Sequence, residues 1–160
     1  MAADGLPFDA AGAPVIPDWF PLDGSLRILK AIGHAFGGEA LHRIGFSVPA
    51  HARFPPEIDG VARALAGLDV AFHMNHRRDG VVMFDPATGT MLEGIGHYGC
   101  RSLGGRRLHC ESTSVYPCDF DRGVVAGLAA RFDPASEVEH APDGLCRTDG
   151  ASSCIYRVSW

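Results

Sequence analysis

Apolar residues recur at helical spacing through the front of the chain. After Ser25, which suits a helix N-cap, Leu26, Leu29, Ile32, Gly33 and Phe36 fall on one stripe, and Gly37-Gly38 breaks it. A short helical piece is predicted from Glu39 to Ile44, ending near Gly45 and Pro49. Pro55-Pro56 opens the next helix, with Ile58, Val61, Leu65 and Leu68 along one side. Then the period shortens to two. Val81 to Phe84 reads as a short strand, and Asp85-Pro86-Ala87-Thr88-Gly89 as a turn. Met91 to Leu103 and Arg106 to Tyr116 flank Gly104-Gly105, a hairpin signal. With those two glycines as the loop, Cys100 pairs with His109 and Tyr98 with Glu111 on one sheet face, leaving His97 and Cys110 on the other. Asp119 or Asp121 caps a third long helix carrying Phe120, Val124, Leu128 and Phe132, which Asp133-Pro134 stops. Glu137 to His140 and Cys154 to Trp160 alternate as two final strands. The sum is an α+β fold: N-terminal helices packed on an antiparallel sheet, with a further helix between the hairpin and the last two strands.

Length and composition narrow the picture. At 160 residues, with 46% hydrophobic and 21% charged residues, the chain fits one domain with a core. Pro7, Pro14, Pro17 and Pro21 make residues 1–24 a flexible arm, anchored by Trp19 and Phe20, ahead of a single domain over 25–160. A net charge of −5 argues against nucleic acid as a partner. No apolar run reaches the roughly 18–20 residues of a membrane span, and no signal-peptide pattern opens the chain. These features place it in the cytoplasm, where an odd set of five cysteines is a poor disulfide framework. No GxSxG, Walker loop, GxGxxG after a strand, or HExxH is present, and no general acid–base pair is assembled, so no reaction is named.

Cysteine and histidine carry the candidate chemistry. Cys118, Cys146 and Cys154 each sit where an element begins or ends, and the turn pair Asp149-Gly150 lets the chain fold back between the last two. Three such sulfurs with a fourth donor, Asp143 or His140, form a tetrahedral metal set. Free cysteines also serve as small buried apolar side chains, and Cys118 at a helix start has the setting of a reactive thiolate. A second set, Cys100, His109 and Glu111, depends on the hairpin register.

The segment from Tyr116-Pro117-Cys118 to Trp160 resembles the 4-vinyl reductase domain family. The likeness rests on Cys118 ahead of a helix, an acidic residue shortly before Cys146, the gap to Cys154, and the ending Cys154-Ile155-Tyr156-Arg157-Val158-Ser159-Trp160. That family is related in fold to haem-nitric-oxide sensor domains and to a vesicle-tethering subunit class. The resemblance implies a structural Zn2+ on Cys118, Cys146, Cys154 and Asp143, where relatives carry Glu, with His140 as the rival fourth ligand. It also implies a homodimer, and a pocket in which His73 or His76 and His97 or Tyr98 bind the polar atom of a small apolar or aromatic molecule. Phe72, Met74, Met83, Phe84 and Tyr98 would supply its walls. The expected function is a cytoplasmic small-molecule sensor domain. The alternatives are a small, tetrapyrrole-related metalloenzyme using His73, His76, His97, Cys100 or His109, or a haem-binding sensor with a histidine as axial ligand; haem ranks behind zinc as cofactor.

Overall fold

A computed structural model of the chain describes residues 10–11, 19–141 and 146–160. Helices α1 (Leu22–Phe36) and α2 (Gly38–Ser47) meet at Gly37, whose φ of 79° turns the chain between them. A 3-10 turn over Val48–His51 and an irregular stretch lead to α3 (Val61–Ala66) and α4 (Leu68–Met74). Two small hairpins follow, β1 (Arg77–Arg78) with β2 (Val81–Val82) and β3 (Phe84–Asp85) with β4 (Thr90–Met91). The main sheet holds β5 (Tyr98–Ser102), β6 (Arg107–Ser112), β7 (Glu137–His140) and β8 (Cys154–Ser159), antiparallel in the order β5-β6-β8-β7. Helix α5 (Cys118–Phe132) runs between β6 and β7. This is the α+β arrangement expected from the pattern. No helix among the described residues is long and apolar enough to cross a membrane.

The core forms where α5 meets one face of the sheet. Leu108, Cys110 and Ser112 of β6 pair with Val158, Tyr156 and Cys154 of β8, and all six are buried. Val125, Leu128 and Ala129 of α5 and Leu65 of α3 close over that face. Helix α2 crosses α5 with almost no space between backbones. A Cβ at Gly123 would lie 2.1 Å from the His42 carbonyl oxygen, one at Gly127 2.2 Å from that of Phe46, and one at Gly45 2.1 Å from that of Phe120. Gly45 therefore does not end a helix; it lets one pass.

Several boundaries move. Helix α1 starts three residues before the expected cap, and the Ser25 hydroxyl instead donates to the Pro21 carbonyl. Most of the expected arm over 1–24 lies outside the described residues; within it, Trp19 packs under the Arg77 guanidinium at 3.9 Å while Phe20 is exposed. Pro55-Pro56 leads a turn rather than a helix, which begins only after the extended Gly60. The strand expected from Met91 shortens to β5, because Gly94 and Gly96 take φ values of 122° and 75°.

The hairpin register also changes. Gly104, Gly105 and Arg106 all have positive φ, so the loop is longer than a two-glycine turn. Cys100 then faces Cys110, His109 faces Arg101, and Glu111 faces Gly99. A one-residue slip reverses every face. Cys100 and Cys110, expected on opposite faces, are joined in a disulfide, although the cysteine count argued against a disulfide framework. The candidate metal set Cys100, His109 and Glu111 is dismantled by the same slip.

Candidate functional site

A cavity of about 960 Å³ opens between α4, α5 and the irregular stretch before α3. Its walls are mostly apolar, including Phe54, Leu68, Phe72 and Val124, and Tyr98, Tyr116 and His76 supply polar atoms. Arg53 and His51, both exposed, stand at its edge. This volume and mixture suit a small-molecule or cofactor site.

His76 fixes the chemistry of the cavity. Its Nδ1 lies 2.6 Å from the Phe72 carbonyl oxygen, which only accepts, so Nδ1 carries the proton. Nε2 is then a lone-pair donor and accepts from the Tyr116 hydroxyl at 3.0 Å. Burial lowers the His76 pKa below the usual imidazole value of 6.5, which keeps that nitrogen unprotonated at neutral pH. The Phe72 ring packs against His76 and, edge-on, against Tyr98.

Behind Tyr98 lies a buried polar hub. The Tyr98 hydroxyl donates to Asp121 at 2.5 Å, Ser112 and Ser114 donate to the same carboxylate, and Arg147 forms an ion pair with it at 2.5 Å. Burial pushes the Asp121 carboxyl up, and its four donors oppose that push. Burial and the adjacent Asp121 raise Tyr98 well above the usual phenol value, so it remains a donor. Arg147 also donates to Cys154 Sγ and to the Tyr116 carbonyl. The hub thus joins the cavity wall to the cysteines.

Cys118, Cys146 and Cys154 converge as their spacing suggests. Cys154 Sγ lies 2.9 Å from Cys118 Sγ and 3.4 Å from Cys146 Sγ. Burial and the Cys154 sulfur push the Cys118 thiol well up. Burial acts on Cys154 too, but Cys118 and Arg147 outweigh it and lower that thiol. Among the described residues His140 is not grouped with these sulfurs; its ring stands edge-on to Tyr156. Asp143 lies outside the described residues.

The expected histidine pocket divides in two. Phe72, His76 and Tyr98 line the cavity with Met74, whereas His73, His97, Met83 and Phe84 do not. His73 is fully buried and stacks on His97, with ring centroids 4.8 Å apart. Asp69 gathers both: its backbone carbonyl accepts from His73 Nδ1 at 2.9 Å and its carboxylate from His97 Nδ1 at 2.9 Å. His97 Nε2 meets Glu93 at 3.1 Å. Asp69 and then Glu93 raise the His97 pKa. The alternatives for an enzymatic metal are thereby separated: His76 lines the cavity, His73 and His97 meet at Asp69, and Cys100 is tied into the disulfide.

Sequence reasoning passed over Asp69, Tyr116, Asp121 and Arg147. Asp121 sits three residues after Cys118, where an acidic residue in the first turn reads as a cap. The missed signal was its place among the apolar positions of α5, where Val124, Val125 and Leu128 are buried with it.

No family model matches the chain, and no curated protein matches it. Solved structures do share its fold. An H-NOX protein from S. oneidensis in the Fe(II)NO state has a TM-score of 0.62 at 12% identity, covering 94% of this chain and 82% of that one. An H-NOX structure from work on haem distortion has a TM-score of 0.55 at 16% identity, covering 95% and 77%. The H-NOX protein from Shewanella woodyi in the Fe(II)CO state has a TM-score of 0.54 at 14% identity, covering 96% and 78%. At these identities the likeness is one of fold. It supports the likeness in fold to haem-nitric-oxide sensor domains that the resemblance implied, and it does not show the 4-vinyl reductase family. It also corrects the cofactor ranking: structural zinc ahead of haem gives way, because the solved proteins built on this fold include haem proteins. The chain has the fold of H-NOX domains.

Proposed function

We propose that the chain is a haem-binding sensor domain whose cavity holds the cofactor against His76. The observation that carries this reading is the state of that imidazole. Its Nδ1–H is tied to the Phe72 carbonyl, its Nε2 lone pair meets the Tyr116 hydroxyl, and the side chain lines the cavity; an imidazole held through one nitrogen with a lone pair on the other is the pattern of metal-ligating histidines. The donor set fits the cofactor: one neutral imidazole that would hold the iron, apolar walls for a flat macrocycle, and the Arg53 guanidinium at the edge for carboxylates. Bound haem would supply an iron able to take up a diatomic ligand. The chain's part is to hold His76 in one tautomer, to exclude water with Phe72, Phe54 and Leu68, and to swing the Tyr116 hydroxyl away from Nε2.

The same hydrogen bond supports a second reading. The Tyr116 phenol occupies the place that the hydroxyl of a small aromatic ligand would take on His76. An aromatic alcohol exchanging with it would make the domain a sensor without iron.

A thermal-shift series on the purified full chain tests the two readings together. Haem raising the melting temperature, with phenols inert, supports the first, because a ligand that binds the folded state stabilises it by mass action. Phenols stabilising it, with haem inert, support the second. Neither acting refutes both.

A further inference from the structure

We propose that His73, His97 through Nδ1 and the carboxylate of Asp69 form a second, separate site for a divalent transition-metal ion at the joint between α4 and β5, with Glu93 holding the far nitrogen of His97. His73 Nε2 is its buried donor. This site does not line the cavity and does not depend on what fills it.

Two independent observations point here. Asp69, His73 and His97 each place a ligand atom within 4.8 Å of the other two. His73 is wholly buried, and its Nε2 has no hydrogen-bond partner. A buried polar atom without a partner is costly and calls for an explanation. Here the Nδ1–H of His73 is tied to the Asp69 carbonyl, so the orphaned Nε2 is a lone pair rather than a proton. That lone pair is what a metal ion satisfies.

The surroundings supply the rest of the set. Two imidazoles and a carboxylate are a common donor combination for first-row divalent ions. Asp69 is held in place by the Tyr98 backbone N–H, which donates to its other oxygen at 2.9 Å. Glu93, reaching His97 Nε2 from the solvent side, holds the ring in place. The Asp69 carbonyl orients His73 through Nδ1, and Glu93 orients His97 through Nε2, the second contact usual for histidines that ligate metals. An ion bound here displaces to solvent the proton that His97 Nδ1 shares with Asp69, while Nε2–H stays with Glu93.

Cobalt(II) titration of the full chain, followed by visible absorption, tests the proposal. Nitrogen and oxygen ligands give weak d–d bands, whereas the three thiols would add intense sulfur-to-metal charge transfer in the near ultraviolet, so the two sites are read separately. The expected result is one equivalent of cobalt with d–d bands alone. His97→Ala should lose that equivalent, and Glu93→Gln, at an exposed position, should weaken it about tenfold or more while leaving any thiolate band unchanged. Cobalt uptake with unchanged stoichiometry and affinity in both variants, or no d–d signal in the unmodified chain, overturns it.

Discussion

Arg147 and Asp121 form an ion pair at 2.5 Å in which the aspartate side chain is wholly buried and the arginine 16% exposed. This contact ties the segment before β8 to the first turn of α5. It also spans the two places where chemistry was expected, since Asp121 holds the Tyr98 hydroxyl and Arg147 holds Cys154 Sγ. Removing one member strands the other charge. Arg147→Met should destabilise the fold by about 3–5 kcal/mol, because a buried charge loses its partner. Adding Asp121→Asn should recover part of that loss. Urea unfolding of the singles and the double measures the coupling.

The α2–α5 crossing gives a sharper steric expectation. Gly123→Ala drives a methyl group into the His42 carbonyl, 2.1 Å away, and should cost at least about 2 kcal/mol. Gly99→Ala is the control: nothing lies within 4 Å of the added carbon and the backbone is not left-handed, so the change should stay within about 0.5 kcal/mol. Denaturant midpoints compare the two.

Much of this architecture is legible in the sequence, and the misses share a physical cause. The stripe Phe120, Val124, Leu128 and Phe132 and the alternation from Cys154 onward are local patterns, and α5 and β8 appear where they indicate. Gly45 reads as a helix end because its purpose, close approach to α5, lies far away in sequence. Cys100 and Cys110 read as opposite-facing because one extra loop residue decides the register, and neighbouring residues do not encode it. The convergence of Cys118, Cys146 and Cys154 follows from element boundaries, whereas the separation of His76 from His73 follows from where α4 ends, at Met74.

The disulfide has a chemical readout. Denatured without reductant, the chain should react through the free thiols of Cys118, Cys146 and Cys154 only; after reduction Cys100 and Cys110 should join them. Cys100→Ser, which opens a loop with a sequence separation of 10, should cost about 2–3 kcal/mol in the chain-entropy account. Thiol titration and thermal unfolding check both statements.

The histidines pull stability in opposite directions with pH. Burial lowers the His76 pKa below 6.5, so its contribution is complete above pH 6.5 and is lost as pH falls toward the folded value. Asp69 and Glu93 raise His97, so its contribution is complete below 6.5 and fades as pH rises through the folded value. His76→Gln should flatten the acid-side decline and His97→Gln the alkaline-side decline. Unfolding free energy across pH 5 to 8 reads both.

Haem titration into three forms of the chain (unmodified, His76→Ala and Tyr116→Phe) tests the cavity most directly. The expected result is a Soret band at one haem per chain that shifts when the reduced form takes up carbon monoxide or nitric oxide. His76→Ala should lose or displace the band, while Tyr116→Phe, which frees Nε2, should bind haem at least as well. No Soret band in the unmodified chain, or the same spectrum with and without His76, would contradict the assignment.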